Sequence, residues 1–175
     1  MAAEPASLVD VVLLPMQRRH LRAALRIENQ VYPRPWTTGL FQSELALGDR
    51  RTYLVAKASS KLVGYGGALY VLPDAHITTI AVEPSFQRQG IGVLLLHALC
   101  RAAVDKGATA LTLEVRTSNE PALRLYRRFG FAPAGVREGY YTDPVEDAVI
   151  MWAHDVDGAA FAARLDELAP RQEAS

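Results

Sequence analysis

Only one cysteine, Cys100, occurs among the 175 residues. No internal disulfide can form, so the fold must rest on an apolar core. Cys100 stands in an apolar helical stretch, which reads as inert packing. A surplus of either charge is missing as well, since 19 Lys plus Arg balance 19 Asp plus Glu. A protein that holds nucleic acid mainly by charge carries a basic excess, so no direct nucleic-acid binding is expected. The four histidines, His20, His76, His97 and His154, form no pair at metal-ligand spacing with each other or with Cys100, and no metal site is expected. No apolar run approaches the roughly 20 residues that span a bilayer. The opening MAAEPASLVD lacks the basic-then-apolar order of a signal peptide. The expectation is a soluble cytoplasmic domain with no membrane partner. No repeat recurs at a fixed period.

What is present is apolar residues, 50% of the chain, enough for one buried core. Residues 8–15, LVDVVLLP, read as a strand that stops at Pro15. Residues 17–32 space Leu21, Ala24, Leu25, Ile27 and Val31 as an amphipathic helix, broken by PRPW. Thr37 or Thr38 can cap a second helix that Gly48 ends. Residues 52–58 and 61–72 read as a hairpin around two serines, and 75–82 as a third strand. A helix over 90–106, a strand over 108–115 and a helix over 119–130 follow. The last two strands are FAPAGVRE and EDAVIMWAHDV, joined by GYYTDPV. A terminal helix over 157–168 and a frayed end complete the chain. The organisation expected is a flexible start over 1–7, one domain over 8–156, and a helix and tail over 157–175. The order predicts an α/β protein with a mixed sheet and helices on both faces. A crossover helix makes the strands at 75–82 and 108–115 parallel neighbours or near neighbours.

QRQGIG, residues 87–92, stands between a strand and an apolar helix. Glycine weakens a helix by roughly 1 kcal/mol relative to alanine, so Gly90 and Gly92 need a reason. The first amides of a helix lack internal partners and can bind an anion, and glycine lets a phosphate approach. The competing reading is a tight turn and nothing more. A dinucleotide fingerprint needs a third glycine where Leu95 stands, and a P-loop needs Lys and Ser or Thr where Leu96 and His97 stand. Both are excluded.

The stretch IAVEPSFQRQGIGVLLL resembles the acetyl-CoA motif of the GNAT superfamily of N-acetyltransferases, with Gln87, Gly90 and Gly92 matching its Gln/Arg-x-x-Gly-x-Gly/Ala pattern. LEVRTSNEPALRLYRRFGF resembles the second half of that family. Together with the early RPW and the late GYY and EDAVIM, the match is to the RimI-like branch, which acetylates protein N-termini. It covers roughly residues 9 to 156. The resemblance implies a central, mostly antiparallel mixed sheet with splayed strands. It implies acetyl-CoA as cosubstrate and a protein N-terminus, that of a ribosomal protein, as partner. It suggests a monomer or weak dimer.

The same resemblance assigns roles. The backbone of Ile80, Ala81 and Val82 pairs with the pantetheine arm, and the Val82 amide faces the thioester oxygen, where charge develops on attack. The amides from Arg88 through Gln89, Gly90, Ile91 and Gly92 to Val93 hold the pyrophosphate. Asn119 bonds the pantetheine arm; its alternative is a helix cap. Glu114, in an otherwise apolar strand, is matched to the general base. Its alternatives are a solvent-facing position or a pair with Arg116 or another cation. Tyr126 is matched to the donor for the leaving thiolate, with packing as its alternative. Glu28, Tyr32, Tyr140 and Tyr141 are expected at the substrate end. Glu28 either meets a positive group or sits on a solvated helix face, and Trp36 is expected to pack. Val93 departs from the family, which commonly has a polar or basic residue there, and Arg88 offers compensation. Two other functions stay open: acetylation of a small amine or lysine, and acetyl-CoA binding without turnover.

Overall fold

The computed structural model describes residues 10–170. The expected flexible start at 1–7, the first two residues of the expected strand and the end of the tail, 171–175, lie outside the described residues. Strand β1 (Val11–Pro15) leads through a 3-10 turn (Arg18–His20) into helix α1 (Leu21–Val31). The helix expected from 17 therefore starts one turn late. The Gln17 N–H donates to His20 Nδ1 at 2.9 Å, and the His20 N–H donates to Gln17 O at 2.8 Å, which closes the tighter turn first. Helix α2 (Thr38–Leu45) follows PRPW, and Thr37 is its cap, its Oγ1 accepting from the Leu40 N–H at 3.2 Å. It ends before Gly48, which opens a second 3-10 turn instead.

Strands β2 (Arg51–Ala58) and β3 (Lys61–Val71) form the expected hairpin and β4 (Asp74–Val82) follows. Helix α3 (Ile91–Asp105), strand β5 (Ala110–Arg116) and helix α4 (Glu120–Arg128) come next, then β6 (Ala132–Thr142), β7 (Val145–His154) and α5 (Ala159–Leu168). The sheet order is β1-β2-β3-β4-β5-β7-β6. Every neighbouring pair is antiparallel except β4 and β5, so the mixed, mostly antiparallel sheet is as expected.

One connection differs. GYYTDPV is not a connector, because β6 runs on through Tyr140 and Tyr141 to Thr142. Tyr141 pairs with Glu146 and Thr142 with Val145, which leaves Asp143 and Pro144 as the whole turn. The irregularity before Tyr141 is held by the Gly139 N–H, which donates to Asp147 Oδ1 at 2.8 Å.

Leu111, Leu113 and Val115 of β5 pack with Leu96, Leu99 and Cys100 of α3, Leu123 of α4 and Phe161 and Leu165 of α5. Burial pushes the Cys100 thiol up to about 12, which makes it the inert residue expected. On the other face Ile27, Phe41, Tyr53 and Tyr65 form a second cluster under α1 and α2.

The sheet is interrupted in β4. Gly67 of β3 opposes Thr79, and Ala68 opposes Ile77, so Thr78 is an extra residue. Such a bulge bends its strand and increases the twist. Accordingly β4 pairs with β5 only over Asp74–His76 against Ala110–Thr112, and the two strands then part. Gly67 is required at the bulge, since a methyl group there would overlap the Tyr53 ring. Replacing Gly67 by Ala is expected to lower stability by about 1–3 kcal/mol through overpacking. Gly39→Ala in α2, where an added Cβ would meet only Thr37 Oγ1 at an ordinary 3.9 Å, is expected to raise it by about 0.5–1 kcal/mol. Urea unfolding of the two variants checks the contrast.

Candidate active site in the strand gap

The open edge of β4 can be read from its pairing with β3. The Glu83 N–H donates to Val63 O at 2.8 Å. In an antiparallel ladder alternate residues turn their polar groups to opposite edges, so Ile80 and Val82 turn theirs toward the gap. The carbonyls on that edge meet side chains. Tyr32 Oη donates to Ile80 O at 2.9 Å, and Gln87 Nε2 donates to Val82 O at 3.2 Å. The N–H groups of Ile80 and Val82 line the same edge, where β4 has no strand partner past His76 among the described residues. Ala81 points the other way and buries its side chain beneath α1.

At one end of this edge lies the turn into α3. Gly90 has φ 83° and Arg88 φ 64°. The first explains the glycine, because a left-handed backbone strains any residue with a Cβ. The Leu94 N–H donates to Gly90 O at 3.0 Å and makes the first helical bond. The N–H groups of Ile91, Gly92 and Val93 then have no helical acceptor, and they carry partial positive charge. Gly92 differs from Gly90. It has no positive φ, and an added Cβ would meet only Leu125 Cδ2 at an ordinary 3.5 Å. What Gly92 offers is a bare first turn rather than backbone freedom. The Gln89 Oε1 is sealed from solvent without a hydrogen-bond partner. Ile91 is buried and Val93 packs against the core, so both offer backbone only.

Across the gap, Glu114 stands on the α1 side of β5, its side chain 14% exposed. The partner weighed from the sequence, Arg116, is not its partner. Arg116 donates to Asp143 O at 3.3 Å and Pro144 O at 3.1 Å and lies 4.1 Å from the Tyr141 ring centre, which fastens the β6–β7 turn to β5. The Glu114 Oε2 lies 2.6 Å from His76 Nε2, and its Oε1 lies 3.6 Å from Arg137 Nε.

Three tyrosines surround the same gap. Tyr126 of α4 is buried and meets Phe131 edge-on at 5.9 Å, so it packs, as its alternative reading held. Burial, followed by the nearby phenols of Tyr32 and Tyr141, raises its pKa above the ordinary tyrosine range. Burial pushes Tyr32 up to about 12, against a hydrogen bond from Thr79 and with support from Glu28. Tyr141 is pushed up to about 12 by burial and Tyr140, with Arg116 opposing. Tyr140 remains half exposed and meets the Tyr141 ring at 5.1 Å.

Glu28 is not on a solvated face. It is 3% exposed, and its Oε1 accepts from the Trp36 N–H at 3.0 Å, which holds the PRPW segment against α1. Burial raises its pKa and the Trp36 N–H opposes that shift. Trp36 packs on Phe41 at 5.1 Å, as expected. Asn119 Oδ1 accepts from the Ala122 N–H at 3.3 Å, so its cap role is present.

His76 and Arg137 are the residues that sequence reasoning misses. Asking of a histidine only whether it sits at metal-ligand spacing passes over His76. The available signal was alternation: His76 between Ala75 and Ile77, and Glu114 between Leu113 and Val115, fall on the polar phase of strands expected to be parallel neighbours.

Residues 21–131 match the Acetyltransferase (GNAT) family. The chain is 37% identical over 138 residues to the ribosomal protein bS18-alanine N-acetyltransferase of Escherichia coli K12, spanning 78% of this chain and 92% of that one. A relative from Bacillus subtilis, provisionally named for the same activity, is 43% identical over 126 residues, 72% of this chain and 83% of that one. The crystal structure of the ribosomal-protein-S18-alanine N-acetyltransferase from Escherichia coli superposes with a TM-score of 0.76 at 35% identity, over 83% of this chain and 94% of that one.

A phenol pushed this far up stays protonated across neutral pH. In an ultraviolet titration of the folded protein, Tyr126→Phe is expected to remove no phenolate signal below about pH 10. Loss of signal in that range would contradict the buried environment.

Proposed function

Since the chain belongs to the GNAT family of acetyltransferases, we propose that it transfers the acetyl group of acetyl-CoA to the α-amino group of a protein N-terminus, the N-terminal alanine of a ribosomal protein. The observation that carries this reading is the gap itself. It sets free β4 amides and an anion cradle on one side and a carboxylate on the other. The name of the Escherichia coli relative supports the choice of amine.

The residues present fit acetyl-CoA. The amides of Ile91, Gly92 and Val93, at the first turn of α3, suit a pyrophosphate, with Arg88 adding charge. Ile80 and Val82 offer their N–H groups to an extended arm, and the Val82 amide suits the thioester oxygen. Asn119, its oxygen occupied by the cap, has its amide nitrogen left for the arm.

The amine must be neutral to attack. With reference values near 8 and 10.4, about 1 in 10 α-amines but only about 1 in 2,500 lysines is neutral at pH 7. A terminal amine therefore needs modest help. Glu114 takes the proton as nitrogen bonds to the acetyl carbon, directly or through one water. The carbon–sulfur bond breaks and CoA leaves as the thiolate. Tyr126 stays protonated, so it stabilises that thiolate by a donated hydrogen bond rather than by giving its proton away. Tyr32, Tyr140 and Tyr141 wall the substrate end, and a slot framed by rings favours a small first residue such as alanine.

The test uses a peptide that begins with alanine and contains lysine, beside the same peptide with a blocked terminus. Transfer is expected at the free terminus only. Acetyl-lysine, or no product while acetyl-CoA binds, would contradict the reading. Glu114→Gln is expected to lower kcat about 10²–10⁴-fold and Tyr126→Phe about 10-fold or more, with acetyl-CoA affinity kept.

A further inference from the structure

His76 has no role in the account above, yet its 2.6 Å contact with Glu114 is the shortest polar contact among the described residues of the gap. The fold forces the meeting. His76 is the last β4 residue paired with β5, opposite Thr112, and Glu114 lies two residues further along the same face. A carboxylate only accepts hydrogen bonds, so Nε2 carries the proton and Nδ1 is the free site of the neutral ring. The other charged or titratable groups facing the pair come from the neighbouring strands. Arg137 of β6 lies 3.6 Å from the second carboxylate oxygen. Tyr141 of β6 feels the Glu114 charge, with Arg116 of β5 over its ring.

We propose that His76 is a positioning residue that decides when Glu114 can accept a proton. The inference rests on the reading of Glu114 as the base. With a neutral ring, the Nε2–H holds one carboxylate oxygen and leaves the group able to take the amine proton. When Nδ1 also binds a proton, the ring becomes a cation against the carboxylate. An adjacent opposite charge favours the ionised carboxylate and so suppresses its basicity. Imidazole is the side chain whose charge commonly changes between about pH 5 and 8. Transfer then requires two proton losses, one from the ring and one from the substrate ammonium. The ring proton exchanges with solvent, since the His76 side chain is 32% exposed. The amine proton goes to Glu114.

The test compares wild type, His76→Gln and His76→Ala in kcat/KM for an alanine-initial peptide against pH, with KM for acetyl-CoA and the thermal midpoint alongside. Glutamine can still donate to Glu114 but cannot become a cation. As pH falls through the range in which an imidazole commonly gains its charge, log kcat/KM is expected to fall more steeply in wild type than in His76→Gln, by as much as about one further unit per pH unit. At pH 8, His76→Gln should stay within about threefold of wild type, and His76→Ala should lose about tenfold in kcat at unchanged KM for acetyl-CoA. A His76→Gln profile as steep as that of wild type, or a His76→Ala variant equal to wild type, would overturn the inference and leave the base reading standing. Full activity in Glu114→Gln would overturn both.

Discussion

An ordinary sheet satisfies each backbone polar group with the next strand. Here β4 leaves that arrangement after three residue pairs with β5. The bulge at Thr78 adds a residue and turns the strand away, and the Tyr53 ring seated over Gly67 fixes the place. Everything at the site depends on this separation. A sealed gap would leave the Ile80 and Val82 amides without partners at about 1–3 kcal/mol each. An open one leaves them to water or to a ligand that brings its own acceptors. The gap is thus a cleft with a fixed hydrogen-bonding edge, made without any loop.

The elements around the gap divide the work. Helix α3 brings three free amides to one end, and its apolar remainder anchors it in the core. Strand β5 carries leucines toward α3 and α4 on one phase and Thr112, Glu114 and Arg116 on the other. Helix α4 places one phenol in a buried position at the edge of the gap, where its proton is retained. Helix α1 and the PRPW segment are tied together by Glu28 and Trp36, and Tyr32 reaches back to Ile80. The β6–β7 turn is held by Arg116, so the two tyrosines before it stand at a fixed distance from the gap.

Much of this was legible from local pattern. The sharp switch from apolar strand to glycine turn to apolar helix located the turn into α3, and the positive φ of Gly90 is the reason the glycine is there. The crossover between β4 and β5 followed from chain order. Three features were not legible, each for a physical reason. The length of β6 depends on pairing with β7, and Gly139 with a following Asp-Pro reads as the start of a loop until that pairing is known. The burial of Glu28 depends on the return of the chain at Trp36, eight residues on. The partners of Glu114 come from β4 and β6, at separations of 38 residues for His76 and 23 for Arg137, which no local pattern encodes.

Amide hydrogen exchange with and without saturating acetyl-CoA tests the central claim, that the edge exposed by the parting of β4 and β5 is the acyl-carrier site. The account predicts slowing of about tenfold or more at Ile80, Val82 and the amides from Gly90 to Val93, with little change in β1, β2 and α5. Saturable binding with no protection on β4 or at the start of α3 would contradict it.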